Sequence, residues 1–218
     1  SGVTGSALAY DKLKTKEILK LHGIPTADYE VFYRNQNQNI KRNLDLPVVV
    51  KPTNQGSSFG VSIVKKENQW IQALENAFNY SEEIIVEKFI AGKLLAIGMN
   101  GEQPMPIVQI RPKSGFYDYE AKYTSGKTEY LCPAKLNKEE TNKCKEVSKK
   151  VFKVLRGRGF PRVDIILDNK NTPYVLEMNT VPGMTSTSLL PMAAREVGMD
   201  FDDLVIEILK KAQLDHGV

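Results

Sequence analysis

Arg162-Val-Asp-Ile-Ile-Leu-Asp-Asn-Lys-Asn-Thr-Pro-Tyr-Val-Leu-Glu-Met-Asn179 is the stretch on which the reading of this chain turns. Two apolar runs, Arg162 to Leu167 and Pro173 to Asn179, flank Asp168-Asn-Lys-Asn171, and asparagine tolerates the left-handed backbone of a tight turn. The pattern predicts a β-hairpin. Side chains alternate faces along a strand, so Glu177 and Asn179 share one face, and an antiparallel return brings Asp164 opposite them. Two carboxylates and an amide oxygen on a rigid sheet suit a hard cation with oxygen ligands, above all Mg²⁺ carrying phosphates. Strand-end acids also cap loops or lie on a solvated face, so the rest of the chain has to decide. Arg162 falls on the face of Asp164. There it either holds a substrate carboxylate or a developing oxyanion, or forms a structural ion pair with Asp164.

Directly after the hairpin, Pro182-Gly-Met-Thr185 makes a turn, followed by Ser186 and Ser188, where a small polar substrate would sit. Short helical pieces are expected near Pro191 to Val197, and an amphipathic helix over Phe201 to Lys211. Upstream, Lys138 to Leu155 reads as a helix. Lys113 to Tyr130 has no periodicity and is expected to be a long loop. Within it, Phe116-Tyr-Asp-Tyr-Glu-Ala-Lys-Tyr123 reads either as a lid, with Lys122 reaching a phosphate and Tyr123 covering a substrate, or as a packed surface loop.

Further back, Leu94 to Met99 and Pro106 to Arg111 form a hairpin about Asn100-Gly101. Pro47 to Lys51 and Val61 to Val64 are strands joined by the glycine-bearing loop Thr53 to Gly60. That loop is either an ordinary turn or a cradle offering N–H groups and the Ser57 and Ser58 hydroxyls to phosphate beside Lys51. It is not a P-loop, since neither the Gly-Lys-Ser/Thr ending nor a following helix is present. Ile84 to Phe89 is a strand whose exit either just ends or offers main-chain bonds to a purine. Asp11 to Leu21 and Glu67 to Phe78 are helices, Asp28 to Tyr33 a short strand, and Arg34 to Asn43 a polar connector. Ser1 to Leu8 is a small-residue lead into a helix, and the start reads as the interior of a longer protein. Strands and helices mix without a βαβ rhythm, so the fold class is antiparallel α+β.

At 218 residues with 41% hydrophobic and 26% charged side chains, the chain can bury one or two cores of ordinary composition. A net charge of +4 is dispersed and shows no aromatic-basic patch, which argues against nucleic acid. No apolar run has the length of a membrane span. The two cysteines, Cys132 and Cys144, have no metal or disulfide spacing, so a reducing cytoplasm is expected. No Ser-His-Asp or Cys-His arrangement is present: His22 lies at a helix end and His216 in the tail.

Taken together, Asp11-Lys12, Val50-Lys-Pro52, Gly56-Ser-Ser58, Glu87-Lys88, Phe116 to Tyr123, Cys132-Pro-Ala134, Arg162-Val-Asp164, Glu177 to Thr185 and Ser188 to Ala194 resemble the D-alanine–D-alanine ligases of the ATP-grasp superfamily. The resemblance implies two antiparallel-sheet subdomains with ATP between them. The first would run over residues 1–90 and a C-terminal catalytic one over 91–218, and the family's N-terminal substrate domain would be missing. It implies that Lys12, Lys51, Ser57 and Ser58 bind phosphates; that Glu87, Lys88, Phe89 and Ile90 hold adenine; and that Lys122 touches the γ-phosphate under Tyr123. Asp164, Glu177 and Asn179 would carry two Mg²⁺ (Mn²⁺ as a substitute), Arg162 and the Gly183 amide would hold the oxyanion, and Ser188 with Leu189 would hold the second D-alanine. The implied reaction joins two D-alanines through an acylphosphate for peptidoglycan synthesis, in a cytoplasmic homodimer that needs neither nucleic acid nor membrane. Leu94, where the family has a ribose-binding glutamate, and Pro161, before Arg162, depart from the pattern. Without the missing domain's pocket for the first substrate, the chain alone is expected to be inactive or weakly active. With Leu94 and Pro161, that absence keeps a second reading open: a non-catalytic or engineered nucleotide-binding module.

Overall fold

The computed structural model describes residues 1–35, 41–115, 117, 121–122, 124, 126–185 and 187–214. Two antiparallel sheets carry the chain. The first, ordered β1-β4-β2-β3, contains β1 (Tyr29–Tyr33), β2 (Val48–Pro52), β3 (Ser62–Val64) and β4 (Glu83–Lys88). β2 and β4 are central, and both read as near-continuous apolar runs because each is covered on two faces. Val48, Val50, Ile84 and Val86 point to one side, where helix α3 (Trp70–Phe78) lays down Trp70, Ala73, Leu74, Ala77 and Phe78. Those five positions follow the i, i+3, i+4, i+7, i+8 stripe of an amphipathic helix. The alternate residues Val49, Lys51, Ile85 and Glu87 occupy the opposite face, with Lys51 across from Ile85 and Val49 across from Glu87.

The second sheet, ordered β7-β6-β5-β8-β9, contains β5 (Gly92–Asn100), β6 (Gln103–Pro112), β7 (Thr128–Leu131), β8 (Arg162–Asp168) and β9 (Pro173–Asn179). One face buries Leu95, Ile97, Val163, Ile165, Val175 and Met178 under α1 (Val3–Tyr10), α2 (Lys12–Leu21) and α4 (Lys138–Val154). The other buries Ala96, Val108 and Ile110 against Leu189, Leu190, Ala193 and Ala194 of α5 (Leu189–Arg195) and Leu204 of α6 (Phe201–Lys210). Although α1 and α2 lie early in the chain, Ala9, Leu19 and Ile24 belong to the core of this second sheet.

The chain passes from β4 to β5 within a few residues, and the crossing leaves no room for a side chain at Gly92. A Cβ there would sit 2.2 Å from the Leu167 carbonyl oxygen. Capping follows the sequence: Asp11 accepts from the Lys14 amide, Asn137 and Glu140 form a capping box on α4, and Asp200 caps α6.

The expected hairpin is present, with Asp168 Oδ1 accepting from the Lys170 and Thr172 amides at 2.8 Å and Asn171 at φ 60°. Its register sets Asp164 opposite Glu177 and Arg162 opposite Asn179. A bulge separates these pairs from Ile165–Val175, and Leu176 is the extra residue. In an unbroken strand Glu177 would share the face of Val175, inside the core. With the bulge, Met178 takes the core position, while Glu177 and Asn179 turn to the face of Arg162 and Asp164.

Three expectations need correction. Ser1 to Leu8 is not merely a lead: Val3–Tyr10 is a separate helix, its end capped by the Asp11 amide bonding to the Ala7 carbonyl. The loop expected over Lys113 to Tyr130 gives way to strand β7, whose Tyr130 pairs with Ile110 and so extends the sheet by one edge strand. β6 begins at Gln103 rather than Pro106, because the Asn100–Gln103 pair closes a tighter hairpin.

Candidate active site

The outer face of the β8–β9 hairpin carries the charged cluster. Arg162 grips Asp164 with both ends of its fork, Nε to Oδ1 at 2.7 Å and Nη2 to Oδ2 at 2.8 Å. The guanidinium and the carboxylate thus stand together on the outer face of the hairpin as a close ion pair. Burial alone would lower the Arg162 pKa, but Asp164 and Glu177 hold the guanidinium charged above its usual range. Burial pushes Glu177 upward, yet Lys12, Lys51, Lys122 and Arg162 together keep its carboxyl below the ordinary carboxylate value. Asn179 Oδ1 accepts from the Val181 amide at 3.2 Å. Among the described residues, no three His, Cys, Asp or Glu side chains gather as a metal site. This trio has two carboxylates, and its third oxygen is an amide.

Lys12 links that hairpin to the glycine-bearing loop. Its place at the start of α2, directly after the Asp11 cap, ties its amide to the Thr53 carbonyl at 2.8 Å. Its ammonium donates to the Gln55 carbonyl at 2.5 Å and lies 3.5 Å from Glu177. Burial depresses the Lys12 pKa, and Glu177 offsets part of that. Within the loop, Ser57 (φ 50°) and Ser58 (φ 63°) both adopt left-handed backbone. For non-glycine residues this costs about 1–3 kcal/mol each and is concentrated at functional sites. The Lys122 ammonium donates to Ser58 Oγ at 2.8 Å and sits 5.3 Å from the Tyr117 ring centre, while Ser58 Oγ donates to the Tyr117 carbonyl at 3.3 Å. The lid segment thus touches the loop across the cleft. Tyr123 lies outside the described residues, as do Phe116, Asp118, Tyr119 and Glu120.

On the first sheet, Glu87 is 3% exposed, and two ammonium groups meet its Oε1: Lys51 at 2.7 Å and Lys16 at 3.1 Å. Against the upward push of burial, these lysines hold the Glu87 carboxyl below its usual range. Lys88 is exposed, and its amide donates to the Asp28 carbonyl; the Phe89 amide donates to the Pro47 carbonyl. Both N–H groups are thus already engaged, while Ile90 lies half-buried beyond them. Lys16 and its partner Thr26 were missed in the sequence. The available signal was position: Lys16 falls between Leu13 and Leu19 on the buried stripe of α2, where a charged residue needs a partner. On the opposite side of the cleft, Ser188 Oγ lies 2.8 Å from Thr185 Oγ1, accepts from the Thr185 amide at 3.0 Å, and would be 3.1 Å from a Cβ at Gly183. Leu189, the first residue of α5, is buried.

A family profile described as "D-ala D-ala ligase C-terminus" matches residues 18–210. The chain belongs to the D-alanine–D-alanine ligase family. The D-alanine–D-alanine ligase of Syntrophotalea carbinolica is 46% identical over 98% of this chain and 70% of its own length, and that of Pelotomaculum thermopropionicum is 39% identical over 100% and 72%. Among solved structures, the D-alanine–D-alanine ligase of Bacillus anthracis superposes with a TM-score of 0.86 at 33% identity, over 97% of this chain and 69% of that one. A D-alanine–D-alanine ligase structure from the same organism, complexed with ATP, gives 0.83 at 29% identity over 97% and 68%. The family assignment and the two antiparallel sheets agree with the α+β ATP-grasp architecture expected from the sequence.

Proposed function

We propose that this chain carries the ATP-grasp site of a ligase that joins two D-alanines for peptidoglycan synthesis, acting in the cytoplasm. The observation that carries the reading is Lys12, whose one ammonium spans the Gln55 carbonyl of the phosphate-type loop and Glu177 of the carboxylate hairpin. A positive charge at that seam is where a triphosphate and its counter-ions would lie. The relatives are named as ligases of this kind, and one solved neighbour holds ATP.

The donor set fits magnesium: the Asp164 and Glu177 carboxylates and the Asn179 amide oxygen share one face of a rigid hairpin, and Glu177 is kept ionised. Bound there, Mg²⁺ (two ions by family resemblance, Mn²⁺ in their place) would neutralise phosphate charge. The side chains do the rest. Lys12, Lys51 and Lys122, with the Ser57–Ser58 loop, hold the phosphates in line, and the strand exit Glu87 to Ile90 lines the adenine. The carboxylate of the first D-alanine attacks the γ-phosphorus, the bond to ADP breaks, and an acylphosphate forms. The amine of the second D-alanine, placed by Ser188 and Leu189, attacks the acyl carbon. Arg162 and the Gly183 amide steady the oxyanion until inorganic phosphate leaves with the acyl–oxygen electrons and the amine gives up its proton. Tyr123 would cover the substrates. The partners are D-alanine, ATP and a second copy of the whole protein, not nucleic acid or membrane. Residues 29–90 would serve as the nucleotide lid and the rest as the catalytic half; the expected boundary at 1–90 gives way here, because α1 and α2 pack into the core of the second sheet.

A second reading, a nucleotide-binding module without ligase turnover, is favoured by Leu94, which packs into the apolar cluster beside Tyr130 and Cys132 and offers no acceptor to a ribose. Calorimetric titration with a non-hydrolysable ATP analogue and magnesium, beside D-alanine-dependent ADP release, separates the two. Binding with D-alanine-dependent turnover supports the ligase. Binding without turnover supports the module, and no binding at all refutes both.

A further inference from the structure

Lys16 is the most buried charged side chain of the chain's described part, at 1% exposure, and the reaction outlined above does not use it. Its ammonium has three N–H donors, and three partners surround it: Thr26 Oγ1 at 2.6 Å, Glu87 Oε1 at 3.1 Å, and the Tyr29 ring, 5.2 Å to its centre. Thr26 in turn donates to the Val175 carbonyl at 3.0 Å, and the Val175 amide donates to the Pro25 carbonyl at 2.8 Å. One buried polar thread therefore runs from Glu87 on the first sheet, through Lys16, to β9 on the second. The same Glu87 oxygen holds Lys51, which is 8% exposed and borders the glycine-bearing loop. A lysine that turns toward phosphate loosens its hold on Glu87. A sealed carboxylate left without a cation is costly, so something inside must stay behind.

We propose that Lys16 is a positioning residue for nucleotide: it keeps Glu87 ionised and in place when Lys51 swings to the phosphates, and so frees Lys51 to do so. The inference rests on the nucleotide reading above. It has a protonic signature. Burial lowers the Lys16 pKa to about 8, with Glu87 of β4 opposing and Lys51 of β2 and Lys20 of α2 adding to the depression. The Tyr29 ring of β1 lies against the ammonium as well. When Lys51 leaves for phosphate, one repulsive neighbour withdraws and Glu87 answers to Lys16 alone. The Lys16 pKa rises, and binding near pH 8 draws in a proton.

The test is calorimetric titration of the whole chain with a non-hydrolysable ATP analogue and magnesium, repeated at pH 8 in two buffers of different ionisation enthalpy. Wild-type protein is expected to take up about half a proton more than Lys16→Met, which cannot titrate, and the variant is expected to bind about tenfold more weakly. Equal affinity and equal uptake in the two proteins overturn the role of Lys16 while leaving the nucleotide site standing. Failure of the wild type to bind overturns the nucleotide reading itself and this inference with it. If Lys16→Met does not fold, Thr26→Val decides. Losing the hydroxyl acceptor lowers the Lys16 pKa further, so the pH of maximal uptake moves down, and an unmoved profile overturns the proposal.

Discussion

Glu87 on the first sheet and Glu177 on the second are both carboxylates held by lysine, and they differ in how they are held. Glu87 is sealed, with ammonium groups at 2.7 and 3.1 Å on a single oxygen. The Glu177 side chain is 35% exposed, and its lysine stands off at 3.5 Å. The closed cluster keeps its innermost cation, Lys16, when Lys51 turns outward, so Lys16 and Glu87 serve as framework. A half-open one exchanges a loosely held ammonium for another cation at little cost. The chain thus keeps a fixed pair of charges beneath the glycine-bearing loop and an exchangeable pair at the hairpin facing it.

The largest expected effect breaks this contrast if it fails. Glu87→Ala leaves two buried ammonium groups against each other and should cost about 3–5 kcal/mol in urea unfolding. Glu177→Ala should cost under about 1 kcal/mol in the same assay; equal losses would show the two clusters to be alike. Next, Gly92→Ala drives a methyl into the Leu167 carbonyl where the chain crosses between sheets, an overpacking worth about 1–3 kcal/mol by thermal melting. Smaller again, Leu94→Glu restores an acceptor beside the strand exit and should tighten binding of an ATP analogue about tenfold, read by calorimetry. The smallest effect is acid dependence. The folded-state pKa of Glu177 lies below 4.5, so the stability it adds is complete above pH 4.5 and drains as pH falls through its lowered value. Glu177→Gln should therefore flatten the acid limb of the urea-midpoint profile slightly and leave the neutral region unchanged.

The hairpin was legible in the sequence because its information is local: turn chemistry at Asp168 to Asn171 and β-branched runs on both sides. Its bulge was not, since one extra leucine leaves no mark on composition, and strict alternation sets Glu177 beside Val175. β7 escaped notice because four residues at a sheet edge, Thr128–Leu131, depend on pairing with β6 rather than on any pattern of their own. α1 lacks an apolar stripe, and small residues such as Gly5 and Ala9 meet the second core by close approach. In the site, the facing of Asp164 and Glu177 followed from register. The Lys16–Thr26 thread did not, because a lysine within a lysine-rich helix reads as solvated until its neighbours in space are known.

The bonds between Pro25, Thr26 and Val175 also act on motion. They sew the outer strand of the second sheet to the segment after α2, just before the chain enters β1 of the first sheet. The seam fixes where the first sheet departs from the second, and widening of the cleft has to part the Lys122–Ser58 clasp, which joins the lid segment to the glycine-bearing loop.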